Sequence, residues 1–91
     1  MGGMTGRIGD LLSETRRNPA GIRFAAACKV AEHFFGEPRS KGSHVIYRMP
    51  WPGDPRVNLQ DDGSGKAKAY QIRQLLQAID RFERDRGRDG D

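Results

Sequence analysis

The sequence predicts an α+β domain, a small antiparallel sheet of about three strands packed on one face by two helices. Two observations carry this. Apolar residues recur at helical spacing before residue 36 and after residue 69, and between those stretches they alternate, as half-buried strands do. A third sets the scale: 91 residues, 35% of them hydrophobic and 31% charged, suffice for one core and one domain.

Ile8, Leu11 and Leu12 fall at i, i+3 and i+4, which predicts a short peripheral helix over Ile8 to Thr15. Asn18-Pro19 breaks it, with Asn18 able to cap a second helix that begins between Pro19 and Phe24. Phe24, Ala27, Cys28, Ala31, Phe34 and Phe35 form the core stripe of that helix, and Gly36 ends it. The segment Glu37 to Gly42 is polar, Ser43 to Met49 alternates as a strand, and Pro50 to Pro55 cannot continue a ladder. Arg56 to Gln60 alternates again, giving the second arm of a hairpin, and Asp61 to Gly65 is a loop. Ile72, Leu75, Leu76, Ile79 and Phe82 then mark a helix from about Ala69 to Arg86. The chain thus divides into a helical extension (residues 1–17), a folded domain (18–86) and a tail (87–91) without an apolar anchor, expected to be disordered.

Four Phe, two Tyr and one Trp make a thin core, so a substrate is expected on an open face instead of in a deep pocket. The single cysteine, Cys28, can form neither an internal disulfide nor a cysteine metal cage, and within its helical stripe it reads as a small buried hydrophobe. Neither a membrane span nor a signal peptide is legible, and the expected location is the cytoplasm. Residues 1–79 carry 12 basic and 7 acidic side chains, a balance of +5, while residues 80–91 carry 4 and 5. An excess of positive charge on the folded body favours a polyanionic partner, of which nucleic acid is the commonest.

In the first strand of the hairpin, His44, Ile46 and Arg48 share one face and Val45, Tyr47 and Met49 the other. If Val45, Tyr47 and Met49 join Val57 and Leu59 beneath the helices, His44 and Arg48 face solvent and Ile46 is exposed with them. His44 is then placed as a general acid or base beside Arg39, Lys41 and Arg48, which can neutralise a phosphodiester. The plain alternative is a surface histidine in a strand. His33, near a helix end, reads as a boundary residue, and the two histidines have no metal-ligand spacing, so neither metal nor other cofactor is expected. Gly63-Ser64-Gly65-Lys66 lacks the upstream glycine of a nucleotide-triphosphate loop, although Lys66 and Lys68 are placed to touch backbone phosphates. Trp51, flanked by prolines, either covers the edge of the core or stacks on a base.

The stretch Gly42-Ser43-His44-Val45-Ile46-Tyr47-Arg48 resembles the Gly-Ser-His signature of HicA toxins, and its surroundings fit that family from about Asn18 to Phe82. Phe24 to Phe35, Arg39-Ser40-Lys41, Ser43 to Met49, Arg56 to Gln60, Lys66 with Lys68, and Tyr70 to Phe82 stand in the family's order of helix, basic strand, signature strand, third strand, basic loop and closing helix. The resemblance implies a fold like that of double-stranded-RNA-binding domains and a metal-independent endoribonuclease activity on messenger RNA. It also implies a HicB-like antitoxin as partner. By position it makes His44 the catalytic residue, and it adds Gly42 and Ser43 to Arg39, Lys41, Arg48, Lys66 and Lys68 as the residues that meet RNA. Where many members have a Pro-x-His segment after the third strand, this chain has the acidic Gln60-Asp61-Asp62, which is expected to weaken phosphate binding or the chemistry. A second proton-transfer group is unassigned, with Tyr47, Lys41 and another group of the RNA itself all conceivable. Two other readings stay open: an RNA-binding module of the same fold that does not cleave, and a protein-interaction domain that docks an acidic partner.

Overall fold

Helix α2 (Phe24–Phe35) packs on the sheet and also meets the other two helices. Its Ala27, Val30 and Ala31 are fully buried, and the small side chains let neighbouring elements approach closely. The helix ends where Gly36 takes a positive φ of 84° and donates its N–H to the Glu32 carbonyl at 2.9 Å. In this computed structural model residues 3–90 are described, with side chains over 7–86.

The order of elements is α1 (Gly3–Arg17), a 3₁₀ turn at Pro19–Gly21, α2, β1 (Arg39–Lys41), β2 (His44–Tyr47), β3 (Val57–Gln60) and α3 (Ala69–Gly90). The strands form one antiparallel sheet in the order β1-β2-β3. Both α2 and α3 pack on the face that carries Val45, Tyr47, Val57 and Leu59, where Leu59 meets Ile72, Leu75 and Ile79 from the stripe of α3. Burying these branched side chains gives the fold its main favourable term, about 1.5–3 kcal/mol for each one removed fully from water.

Three details depart from the expected elements. Asn18 makes no side-chain cap; its carbonyl accepts from Gly21 N–H at 3.0 Å within the 3₁₀ turn, and α2 starts only at Phe24. Helix α1 is longer than Ile8 to Thr15 and packs on α2, with Thr15 fully buried and its hydroxyl donating to the Leu11 carbonyl at 2.6 Å. Arg16 of α1 also pairs with Asp80 of α3 at 2.9 Å. Finally, α3 continues to Gly90, past the end expected at Arg86 and through most of the expected tail; Asp91 lies outside the described residues. No helix among the described residues is long and apolar enough to cross a membrane.

At one end of the core Phe34, Phe35 and Phe82 meet edge to face, and Trp51 joins them through Phe35 with centroids 6.1 Å apart. The Trp51 indole donates to the Pro55 carbonyl at 2.9 Å, and the Arg81 guanidinium lies 4.5 Å from its ring. Trp51 is therefore held by the fold on both its polar and its aromatic side.

One buried polar atom, Gln71 Oε1, has no partner among the described residues, although Gln71 is only 3% exposed. Replacing it with an apolar residue of similar size removes an unmet acceptor. Gln71→Leu is expected to hold or raise stability by about 1 kcal/mol, whereas Leu59→Ala costs about 2–5 kcal/mol by leaving a cavity. Urea denaturation of both variants measures this, and a Gln71→Leu protein less stable than wild type by more than 1 kcal/mol or so would contradict it.

Candidate functional site

The face of the sheet away from the helices is organised by a two-residue turn. β1 and β2 pair as Arg39 with Ile46, Ser40 with Val45 and Lys41 with His44, which leaves only Gly42 and Ser43 between the strands. Gly42 has a φ of 62° and Ser43 does not have a positive φ, the pattern of a type II′ hairpin turn, whose twist matches that of the strands. Ser43 thus belongs to the turn and not to the strand in which it was expected. β2 and β3 then pair as His44 with Gln60, Val45 with Leu59, Ile46 with Asn58 and Tyr47 with Val57.

This register puts Arg39, Lys41, His44, Ile46, Asn58 and Gln60 on the open face. Ile46 is 37% exposed, as its place in the strand required. Arg48 follows in the same alternation, and with Arg39, Lys41 and Ile46 it lines a shallow depression whose rim includes Glu37 and Pro38.

The sheet face extends past β3 without a formal fourth strand. Asp61 pairs with Ala67, and Lys68 N–H donates to the Gln60 carbonyl at 3.1 Å, so the chain returning from the loop lies alongside β3. Beyond it Arg23 pairs with Lys66, and Ala67 N–H donates to the Ile22 carbonyl at 2.8 Å. Ile22 and Ala67 are buried, so the alternate residues Arg23, Lys66 and Lys68 turn to the other side. One row now reads Lys41, His44, Gln60, Lys68, about 14 Å across at about 4.8 Å per interstrand step. Seven cations share this face: Arg23, Arg39, Lys41, Arg48, Arg56, Lys66 and Lys68, with Arg56 following the alternation of Asn58 and Gln60. Among the described residues none of the seven is in a salt bridge; the ion pairs are Arg16–Asp80, Arg17–Glu14 and Arg81–Asp85, all on helices. Arg23 escaped the sequence reading because the contact that brings it here is a backbone pairing across 43 residues of chain, from position 23 to position 66.

The acidic stretch after β3 has a visible structural use. Asp61 Oδ1 accepts the N–H groups of Gly63 at 2.8 Å and Gly65 at 2.9 Å. Asp62 Oδ1 accepts the Ser64 hydroxyl at 2.6 Å and the Ser64 N–H at 2.8 Å, and these bonds hold its carboxyl below the usual carboxylate range. The glycine-rich loop amides are thereby occupied from within, and the two carboxylates shape the loop that delivers Lys66 and Lys68.

His44 is half-buried in the middle of this face, and its Nδ1 lies 3.1 Å from Asn58 Oδ1 on β3. Asn58 was absent from the sequence-based site because nothing in Arg56 to Gln60 marks one polar residue above another until the register is known. Tyr47, one of the conceivable second proton-transfer groups, is ruled out by position. It is 2% exposed on the helix side of the sheet, its hydroxyl 3.4 Å from the Cys28 carbonyl, and burial pushes its phenol far above its ordinary range. Lys41 stays on the open face directly opposite His44. Cys28 is half-buried, with its thiol raised first by desolvation, in keeping with an unreactive packing residue. His33 is exposed at the end of α2 with its ring edge-on to Phe34 at 5.1 Å. Among the described residues no three His, Cys, Asp or Glu side chains are grouped to hold a metal ion.

No family model, no curated protein and no solved structure matches the chain.

A Cβ added at Gly42 meets nothing within 4 Å, so the cost of a side chain there is the backbone angle alone. Gly42→Ala is expected to lower stability by about 1–2 kcal/mol, and Gly42→Asn by less, since Asn tolerates a left-handed φ. Thermal melts of the two variants compare these costs, and equal losses would mean that the turn's φ is not the cause.

Proposed function

We propose that this chain is the toxin of a HicA-type toxin–antitoxin pair, a metal-independent endoribonuclease acting on messenger RNA, with a fold of the double-stranded-RNA-binding type. The observation that supports this reading best is the position of His44. It is the one histidine on a face that otherwise offers seven cations without salt-bridge partners among the described residues. The resemblance of Gly42-Ser43-His44 and its flanking elements to the family supplies the rest.

In this reading Arg23, Arg39, Lys41, Arg48, Lys66 and Lys68 hold the phosphodiester backbone across the sheet, with Gly42 and Ser43 as the turn at its rim. His44 takes the proton of a ribose 2′-hydroxyl while that oxygen attacks the adjacent phosphorus. The bond from phosphorus to the 5′-oxygen breaks, the departing oxygen takes a proton from water at the open face, and the hydroxide so formed recovers the proton from His44, which returns the ring to its neutral form. The products are a 2′,3′-cyclic phosphate and a free 5′-hydroxyl. Lys41, opposite His44, is placed to neutralise charge on the phosphoryl oxygens. The partner is a HicB-like antitoxin that covers this face with acidic or apolar side chains, since a shallow basic surface is blocked best by something broad and complementary in charge.

His44→Ala is expected to keep the fold and lose about 10²- to 10⁴-fold in cleavage rate, with the wild-type protein cleaving RNA equally well in excess chelator. RNA that stays intact with the wild-type protein but is still bound would identify a binding module, and loss of cleavage in chelator would overturn the metal-independent step.

Binding to a non-cleavable single-stranded RNA is expected to weaken steeply with salt. Replacing Arg23, Lys66 and Lys68 together by Gln should flatten the slope of log affinity against log salt by about two, three contacts at about 0.7 each. An unchanged slope in the folded triple variant would remove the outer part of the face from the site.

A further inference from the structure

We propose that Asn58 is a positioning residue that sets the tautomer of His44, keeping the proton on Nδ1 so that Nε2 is the nitrogen offered to substrate. The inference rests on the reading of His44 as a general base, and it adds a residue that no sequence motif marks.

The geometry is a cross-strand diagonal. His44 stands opposite Gln60, and Asn58, two residues back along β3 on the same face, reaches its ring with Oδ1 3.1 Å from Nδ1. A carbonyl oxygen can only accept, so the nitrogen it meets must carry the hydrogen. A neutral imidazole has one N–H, and fixing it on Nδ1 leaves the lone pair on Nε2. Without a partner an imidazole favours the opposite form, with the proton on Nε2, which could donate to RNA but could not take a proton from it.

The neighbours of the pair suit this task. Ile46 is directly across from Asn58, so an apolar side chain flanks the contact and limits the access of water to it. Lys41 faces His44 from β1, and Lys68 lies beyond Gln60; both are donors only and neither can accept the Nδ1 proton. Asn58 is thus the acceptor that the register brings to that nitrogen, and being uncharged it leaves the positive face intact for phosphate. When Nε2 gains the proton of the 2′-hydroxyl, the Nδ1–H stays bonded to Oδ1, and the charge that develops on the ring is stabilised by the same contact.

The test reads the ring directly. Two-bond proton–nitrogen correlation spectra of the RNA-free protein should show neutral His44 protonated on Nδ1. Asn58→Leu, similar in shape but without an acceptor, should move the proton to Nε2 and lower kcat by about 10-fold, with little change in KM. Asn58→Asp keeps the acceptor and should retain the tautomer and kcat to within a few-fold, while its added carboxylate raises KM. A wild-type ring protonated on Nε2, or an Asn58→Leu protein with the wild-type tautomer or kcat, would overturn the proposal. If the tautomer behaved as stated and no RNA were cleaved by any form, the ribonuclease reading would fall and with it the catalytic use of the contact, leaving only its geometry.

Discussion

The open face depends on the register of the β1–β2 hairpin. Side chains alternate along a strand, so a slip of one residue would turn His44 under the helices and bring Val45 and Tyr47 into water. Two features resist that slip from opposite sides. Gly42 supplies the positive φ that a two-residue turn requires, and Tyr47 is locked in the core against α2. The same pairing that buries Tyr47, Val57 and Leu59 sets Lys41 across from His44, and His44 within reach of Asn58. Packing and site geometry are thus one constraint, and a change that loosens the core end of β2 would be felt at the histidine.

Charge is sorted by the fold in a way that its modest net value conceals. The salt bridges join helical residues to one another, and the carboxylates of Asp61 and Asp62 are engaged by the amides of their own loop. What remains on the sheet side is a run of lysines and arginines drawn from four separate stretches of chain, with Glu37 and Asp62 as the acidic groups among them. Their field is less cancelled locally than a net charge of +4 over 91 residues suggests. Holding these cations near one another is unfavourable in the free protein, and a polyanion would relieve that repulsion.

Much of the fold could be read from hydrophobic period. The stripes of α2 and α3, the stop at Gly36 and the inward set Val45, Tyr47, Val57 and Leu59 all follow from spacing, because burial of one face is what makes these elements stable. Thr15 and Gln71 are buried without any such sign, for a polar residue enters a core only when its neighbours are known. In the site, His44, Arg39, Lys41 and Arg48 were legible because they belong to one hairpin. Arg23 and Asn58 were not. Their roles come from pairing between distant segments, and no local pattern encodes which residue a backbone partner will bring alongside.

The two margins of the sheet differ. On the β3 side the backbone is covered by the returning chain at Lys66 to Lys68 and then by Ile22 and Arg23, whereas β1 has no further strand beside it among the described residues. β1 is only Arg39-Ser40-Lys41, all exposed, and a short edge with two charges is a poor template for another sheet. The cations proposed to hold phosphate are therefore also the charges that make this edge a poor template for pairing. Neutralising Arg39 and Lys41 to test the proposed RNA binding would therefore also take the charge off an exposed strand edge.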